Sequence, residues 1–527
     1  MDRAAHSARL ARPGHTWDVV VIGAGATGLG VALDAAARGY ETLCVDQSDF
    51  AKATSSRSTK LIHGGVRYLE QGDLGLVTEA LRERGRLVRN APHLVFRRPF
   101  VVPSYRFGSR LYYGVGLKLY DRLAGALGLG RSIILTRDET LARLPTVRRE
   151  GLRGGVLYYD GQFDDARLAL ALARTAAARG ATLLNYARVT RLLHTGEGED
   201  RRLFGVDIHD QETGITRAQR ARVVINATGI FADRIRQLDD RAAPPLMARS
   251  QGIHLVFDRD VLPGDTALLV PRTRDGRVIF AVPWHGKLLV GTTETPVDEP
   301  TLEPTALEAE VEFILEHVRR YFEVAVTRQD VRSVFCGIRP LVRRGAGDTK
   351  KLSRTHRIEV SATGLVSILG GKWTTYRQMA EDTVDRAIEV ADLDRRPCVT
   401  ADLRLHGHSD EVTEATDHLS IHGSDLPAVH ATCAERSEWQ DLLHPRLPYR
   451  RGEVIWAVRH EMARTIDDVL ARRLRALVLD AEASVEAAPD VARLMGGVLG
   501  WDERRIAAEL DAFAAVADHY RATTAFG

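Results

Sequence analysis

The chain has 527 residues, 44% of them hydrophobic and 27% charged, which is material for about three folded domains and excludes a single small module or a disordered polymer. Seventy-three Lys and Arg against seventy Asp and Glu leave a net +3, too balanced to make nucleic acid a default partner. The four cysteines, Cys44, Cys336, Cys398 and Cys433, match no disulfide framework or zinc spacing, so a reducing compartment and no metal are expected.

The first sixteen residues have no apolar core of the kind a secretory signal needs. The longest uncharged apolar stretch, Val19 to Leu33, holds four glycines and falls short of the ~18 residues that span a bilayer. Thr16 to Gln47 reads as strand, glycine turn, Ala-rich helix and second strand, a βαβ unit. Gly23-x-Gly25-x-x-Gly28 lies at the turn, where glycines let backbone N–H groups and a helix N-terminus approach a pyrophosphate. Ala26 and Thr27 fill the same turn, and Asp46 ends the second strand, where a carboxylate accepts from ribose hydroxyls. This pattern predicts dinucleotide binding without separating FAD from NAD. A later strand, VVINATG over Val223 to Gly229, favours FAD and adds Ala227, Thr228 and Gly229 to the cofactor candidates.

Further along, Asp165 to Arg179 reads as a helix leading into a strand near Ala181 to Val189. From Leu246 to Gly291, short β-type runs separated by Pro, Gly and Asp predict an antiparallel sheet. Glu303 to Tyr321 reads as helical, LVSIL as a strand before Gly370-Gly371-Lys372, and the tail from about Glu453 to Thr523 as helices. The expected fold class is α/β. It combines a Rossmann-like FAD-binding domain (16–110, 150–245 and 355–395), an antiparallel-sheet substrate or cap domain (246–354) and a C-terminal helical domain (398–527).

Three more stretches carry an identification: TSSRSTKLIHGGVRYLE (Thr54 to Glu70), CGIRPL (Cys336 to Leu341) and GGKWTTYRQMAED (Gly370 to Asp382). With the glycine fingerprint and the tail motif EVIWAVRHEMARTIDDVLARR, they closely resemble the FAD-dependent, quinone-linked glycerol-3-phosphate dehydrogenase family. The resemblance implies a flavin domain capped by an antiparallel sheet, with a helical tail. It also implies oxidation of sn-glycerol 3-phosphate to dihydroxyacetone phosphate, with electrons passed to quinone.

Arg67 and Arg339 match family positions that contact substrate, and the planar guanidinium suits a phosphate dianion. Both are read as lying in Gly- or Pro-flanked turns. Tyr68 and Lys372 match positions lining the same site. His254, entering a strand expected to face the flavin, is the candidate base for the alcohol proton. Thr374 and Thr375 suit capping the helix after Gly371-Lys372-Trp373, or bonding flavin or substrate. His63-Gly64-Gly65 lets backbone pass close to the flavin ring, and Thr54, Ser55, Ser56 and Lys60 are assigned to cofactor or loop. Two departures from the usual family pattern are Asp46 in place of Glu and Ile230-Phe231 in place of Pro-Trp.

Ser109 to Leu127 is expected to form an amphipathic helix lying on a membrane surface. Tyr112, Leu119, Tyr120, Leu123 and Leu127 share one arc, and Arg110, Lys118 and Arg122 lie on or near the other side. A peripheral protein on the cytoplasmic, inner face of the cell membrane follows from that reading. Charged residues of the tail, among them Arg459, Glu461, Arg464, Asp467 and Arg472, are expected to pair within the helical domain or across a homodimer. Three other readings stay open: a glycerol-3-phosphate oxidase that uses oxygen, an amine or 2-hydroxy-acid oxidase on the same scaffold, and a non-catalytic flavin-binding sensor.

Overall fold

The computed structural model describes residues 1–65, 74–271, 273, 276–344, 348–353, 356–410 and 418–522. The βαβ unit forms where glycine turn and apolar runs place it: strand Thr16–Ile22, helix Ala26–Ala37, strand Thr42–Val45. All four residues of the second strand are buried, so both faces of the sheet are covered, as a parallel sheet requires. Thr216–Asn226 and Thr42–Val45 flank the first strand in parallel, and Val366–Leu369 and Thr182–Leu184 extend the sheet on either side. Helices Ala26–Ala37, Asp165–Ala178 and Tyr376–Ala391 contribute to the large core against it.

A second, larger sheet stands beside the first. Strand Met247–Asp258 is its spine, paired antiparallel with Lys287–Gly291 on one side and Val331–Arg344 on the other. Val95–Pro103 and Gly155–Phe163, which the sequence reading grouped with the FAD-binding part, pair into this sheet. Their partners lie far away in sequence, and local pattern does not name them. CGIRPL is not a turn: Cys336–Leu341 runs inside the strand Val331–Arg344. The expected helix from Glu303 begins at Glu308, after Pro304, where Glu310 accepts from Leu307 N at 3.1 Å.

The tail is helical, with helices Arg451–His460, Ala481–Leu499 and Glu503–Asp518. Its core reaches across to Val256, Trp284, Leu289 and Phe335 on the second sheet, so the helices pack on the back of that sheet. The tail charges pair within the chain: Arg459 with Glu435, Glu461 with Arg167, Arg464 with Glu212, and Arg472 with Asp49. Among the described residues no helix is long and apolar enough to cross a membrane.

Candidate active site

The first strand ends at Gly23, whose φ of 103° is left-handed, and a Cβ there would lie 2.7 Å from the Ala227 carbonyl oxygen. A Cβ on Gly28 would lie 1.7 Å from the Gly23 oxygen, so the helix can seat on its own turn only with glycine at both positions. Asp46 reaches back from the second strand, accepting from Ala24 N at 2.7 Å and Ser48 N at 2.9 Å. Burial raises its carboxyl to about 6, although these two N–H groups oppose the shift.

From this turn a cavity of about 500 Å³ runs past Gly23, Gly25, Ala26 and Thr27 to Thr54 and Ser55. It continues along Ala227, Thr228, Gly229, Gly371, Trp373 and Thr374 and ends at Lys372, His254 and Arg339. Ser55 holds its entrance wall, with Oγ accepting from Ala26 N at 2.9 Å and its carbonyl accepting from Trp373 Nε1 at 2.9 Å. A cavity lined by a carboxylate, by glycine-cleared backbone and by the cations Lys372 and Arg339 fits FAD.

His254 is 3% exposed. Its ring stacks on Phe335 at 4.7 Å, and Nε2 hydrogen-bonds with Thr59 Oγ1 at 3.0 Å. Nδ1 is buried and has no hydrogen-bond partner among the described residues. Burial first, then the Lys60 and Arg339 cations, holds its pKa well below the usual histidine value, so the ring is neutral at neutral pH. Arg339 faces Ser250 across the strand pair. Its guanidinium donates to Gln251 O (3.2 Å), Thr292 Oγ1 (3.0 Å) and Thr293 O (3.0 Å). A Cβ on Gly252 would sit 2.4 Å from Arg339 Nη2, so this glycine gives the fork its room.

Other sequence candidates lie elsewhere. Arg67 and Tyr68 fall outside the described residues. Ser56, Lys60, Gly64 and Thr375 are not among the residues lining the flavin cavity, and Gly28 packs inside the turn. Lys60 donates to Ser56 O and Asp165 Oδ2, both at 2.7 Å, and burial, opposed by Asp165, lowers it to about 7. Asp165 also accepts from Ser58 N and Oγ, and from Arg475, so this cluster anchors the 54–60 loop. Neither Thr374 nor Thr375 caps the helix Tyr376–Ala391 through its side chain; Thr374 Oγ1 donates to His63 O at 3.4 Å. Gln47, Arg188, Val189 and Thr59 also line the cavity. Position in the strand Ala187–Thr195, after an Ala-rich helix, was the available signal for the middle two.

A second cavity of about 970 Å³ shares Thr59, His63, Thr292 and Arg339 with the first. Gly65, Tyr113, Tyr158, Leu269 and Val278 line it, and it extends to Leu111 and Val115 on the helix Ser109–Ala124. That helix forms as expected, but Tyr120 faces inward, 1% exposed. Its hydroxyl donates to Asp160 at 2.9 Å and accepts from Gly64 N at 2.8 Å. The outward apolar face is Leu111, Tyr112, Val115 and Leu119, beside Phe107.

Strand–turn–helix, terminal carboxylate and a cavity ending in cations define an FAD-dependent oxidoreductase, and the family model described as FAD dependent oxidoreductase matches residues 18–377. The model for the C-terminal domain of alpha-glycerophosphate oxidase matches residues 361–506. A probable mitochondrial glycerol-3-phosphate dehydrogenase from Caenorhabditis elegans is 43% identical over 94% of this chain and 73% of its own length. The mitochondrial glycerol-3-phosphate dehydrogenase of Homo sapiens is 40% identical over 94% and 72%. The structure of the glycerol-3-phosphate dehydrogenase from Bacillus halodurans complexed with FAD superposes with a TM-score of 0.80 at 29% identity, covering 98% of this chain and 97% of that one. The L-alpha-glycerophosphate oxidase of Mycoplasma pneumoniae, at 16% identity and a TM-score of 0.56, shares the fold. The chain belongs to the FAD-dependent glycerol-3-phosphate dehydrogenase family, and FAD is its cofactor.

Proposed function

We propose that the protein oxidises sn-glycerol 3-phosphate to dihydroxyacetone phosphate and passes the electrons to a membrane quinone. The observation that carries this reading is the end of the flavin cavity, where a buried neutral histidine and an arginine fork meet. Bound FAD supplies the hydride acceptor. Arg339, with Lys372 and Arg67, holds the phosphate dianion, Arg339 by its charge and by the guanidinium donors that its bonds to Gln251, Thr292 and Thr293 leave over. His254 takes the alcohol proton; a ring kept neutral by burial is in the protonation state that a base needs. Thr59 fixes that ring through Nε2.

The second cavity supports quinone as acceptor. Its lining is apolar in larger part, with Asp160, Arg277 and Glu294 among the charged residues; it shares a wall with the substrate end and reaches a helix whose outward face is Leu111, Tyr112, Val115 and Leu119. That face supports peripheral attachment to a membrane surface, and we place it on the inner face of the cell membrane as part of the proposal. The test is an anaerobic spectrum of the holoenzyme followed by turnover with quinone or oxygen. Bleaching of the oxidised-flavin band by sn-glycerol 3-phosphate, but not by lactate or glycine, fits the proposed substrate. Peroxide formed in step with substrate use would instead mark an oxidase, and a band that stays unbleached would end the substrate reading.

A further inference from the structure

Two backbone carbonyls, those of Gln251 and Thr293, orient the Arg339 guanidinium. The side chains of the same two residues converge on one carboxylate. Glu310, in the first turn of the helix Glu308–Tyr321, is 4% exposed. Its Oε2 accepts from Gln251 Nε2 at 2.8 Å and from Leu307 N at 3.1 Å; its Oε1 accepts from Thr293 Oγ1 at 2.8 Å and Thr295 Oγ1 at 2.7 Å. The Thr293 hydroxyl accepts in turn from Ile253 N at 3.1 Å, tying the segment to the strand that carries His254.

Capping the helix needs only the bond to Leu307 N. A buried carboxylate is expensive unless its lone pairs are filled, and the other three bonds that fill them all fasten the segments around Arg339. We infer that Glu310 is a positioning residue for phosphate binding: through Gln251 and Thr293 it fixes the two carbonyls that aim the Arg339 guanidinium into the cavity. The inference rests on the reading of Arg339 as the phosphate ligand. It assigns the helix Glu308–Tyr321 a part in substrate affinity although that helix does not line the flavin cavity.

The test compares Glu310→Ala, Glu310→Gln and Arg339→Lys holoenzymes, singly and combined, for KM, kcat and competitive inhibition by inorganic phosphate. Glu310→Ala should raise the KM for sn-glycerol 3-phosphate and the phosphate inhibition constant together, by about tenfold, with kcat within about twofold. Glu310→Gln, whose amide oxygen still accepts from Gln251 and Leu307, should restore most of both. In the Arg339→Lys background the loss of Glu310 should add little, because the two act as one unit.

An unchanged KM with a lowered thermal midpoint would reduce Glu310 to a helix cap and overturn the inference. So would a full additional rise in the Arg339→Lys background, or tighter phosphate binding in both Glu310 variants, which would mark a carboxylate acting by repulsion alone. If Arg339→Lys by itself leaves KM and phosphate inhibition unchanged, the phosphate-ligand reading fails first and takes this one with it.

Discussion

At the ribose end of the cavity, Asp46 carries a pH signature of its own. Burial raises its carboxyl to about 6, so in the flavin-free protein it takes up a proton that the unfolded chain releases near its ordinary, lower value. Its contribution to apoprotein stability is therefore largest in acid and is lost as pH rises through about 6. Ribose hydroxyls bind the carboxylate form, so FAD affinity should strengthen between about pH 5 and 7, and Asp46→Asn should flatten that dependence in a fluorescence titration of the apoprotein. His254 shifts the other way, so the protonation of its free ring lies well below the usual histidine range. The acid limb of kcat/KM should then fall below that range too, and His254→Gln should slow anaerobic flavin reduction by about 10²–10⁴-fold. Residue type and position made the glycines, Asp46 and the candidate His254 legible in the sequence, and the family resemblance pointed to Arg339. Glu310 was not legible, because its partners lie up to 59 residues away and only the folded sheet gathers them.

Helix Ser109–Ala124 shows what periodicity resolves and what it leaves out. Its existence and its cations were readable, but its phase was not: Tyr120 was placed on the outward arc, whereas Gly64, Arg84 and Asp160 draw its hydroxyl inward. Those partners stand 36 to 56 residues from Tyr120, beyond the reach of any helical wheel. The exposed apolar surface also includes Phe107, 93% exposed, and Ile133 on a neighbouring strand. Phe107→Asp combined with Ile133→Asp should weaken pelleting with anionic-lipid vesicles, and flavin reduction by substrate should be unaffected since neither residue is among those lining the two cavities described above. The Cys336–Leu341 stretch repeats the lesson for a strand. Gly and Pro made it look like a turn, but Gly337 is there because a Cβ would press to 2.8 Å on the Arg57 carbonyl oxygen.

Across the molecule, buried ion pairs join the tail to the dinucleotide-binding part. Asp49, three residues beyond Asp46, is bound by Arg472 and by both terminal nitrogens of Arg473. Burial alone would raise the Asp49 carboxyl, but Arg473 and Arg472 hold it below its ordinary value. Lys52 pairs with Asp467 and Glu303, and Arg475 with Asp165, the residue that also anchors Lys60. Arg473→Leu takes one of the two cations off the buried Asp49 and leaves Arg472 as its counter-charge, so it should cost about 1.5–3 kcal/mol, the range for lost hydrogen bonds to a charged group. A lowered thermal midpoint and faster loss of flavin on dilution would show it. The division into a nucleotide part, a sheet and a helical tail was readable from composition and motifs, but the traffic of charges between them was not, since each arginine alone is indistinguishable from a solvated one. The arrangement has a consequence for how the protein is made. The loop that walls the flavin is clamped by Arg475, and the carboxylate beside the ribose site by Arg472 and Arg473, so these walls are unclamped until residues 472–475 have been made. Flavin loading is therefore expected to wait for that segment, and a chain stalled before Arg472 should emerge with its glycine fingerprint present and its flavin walls unclamped.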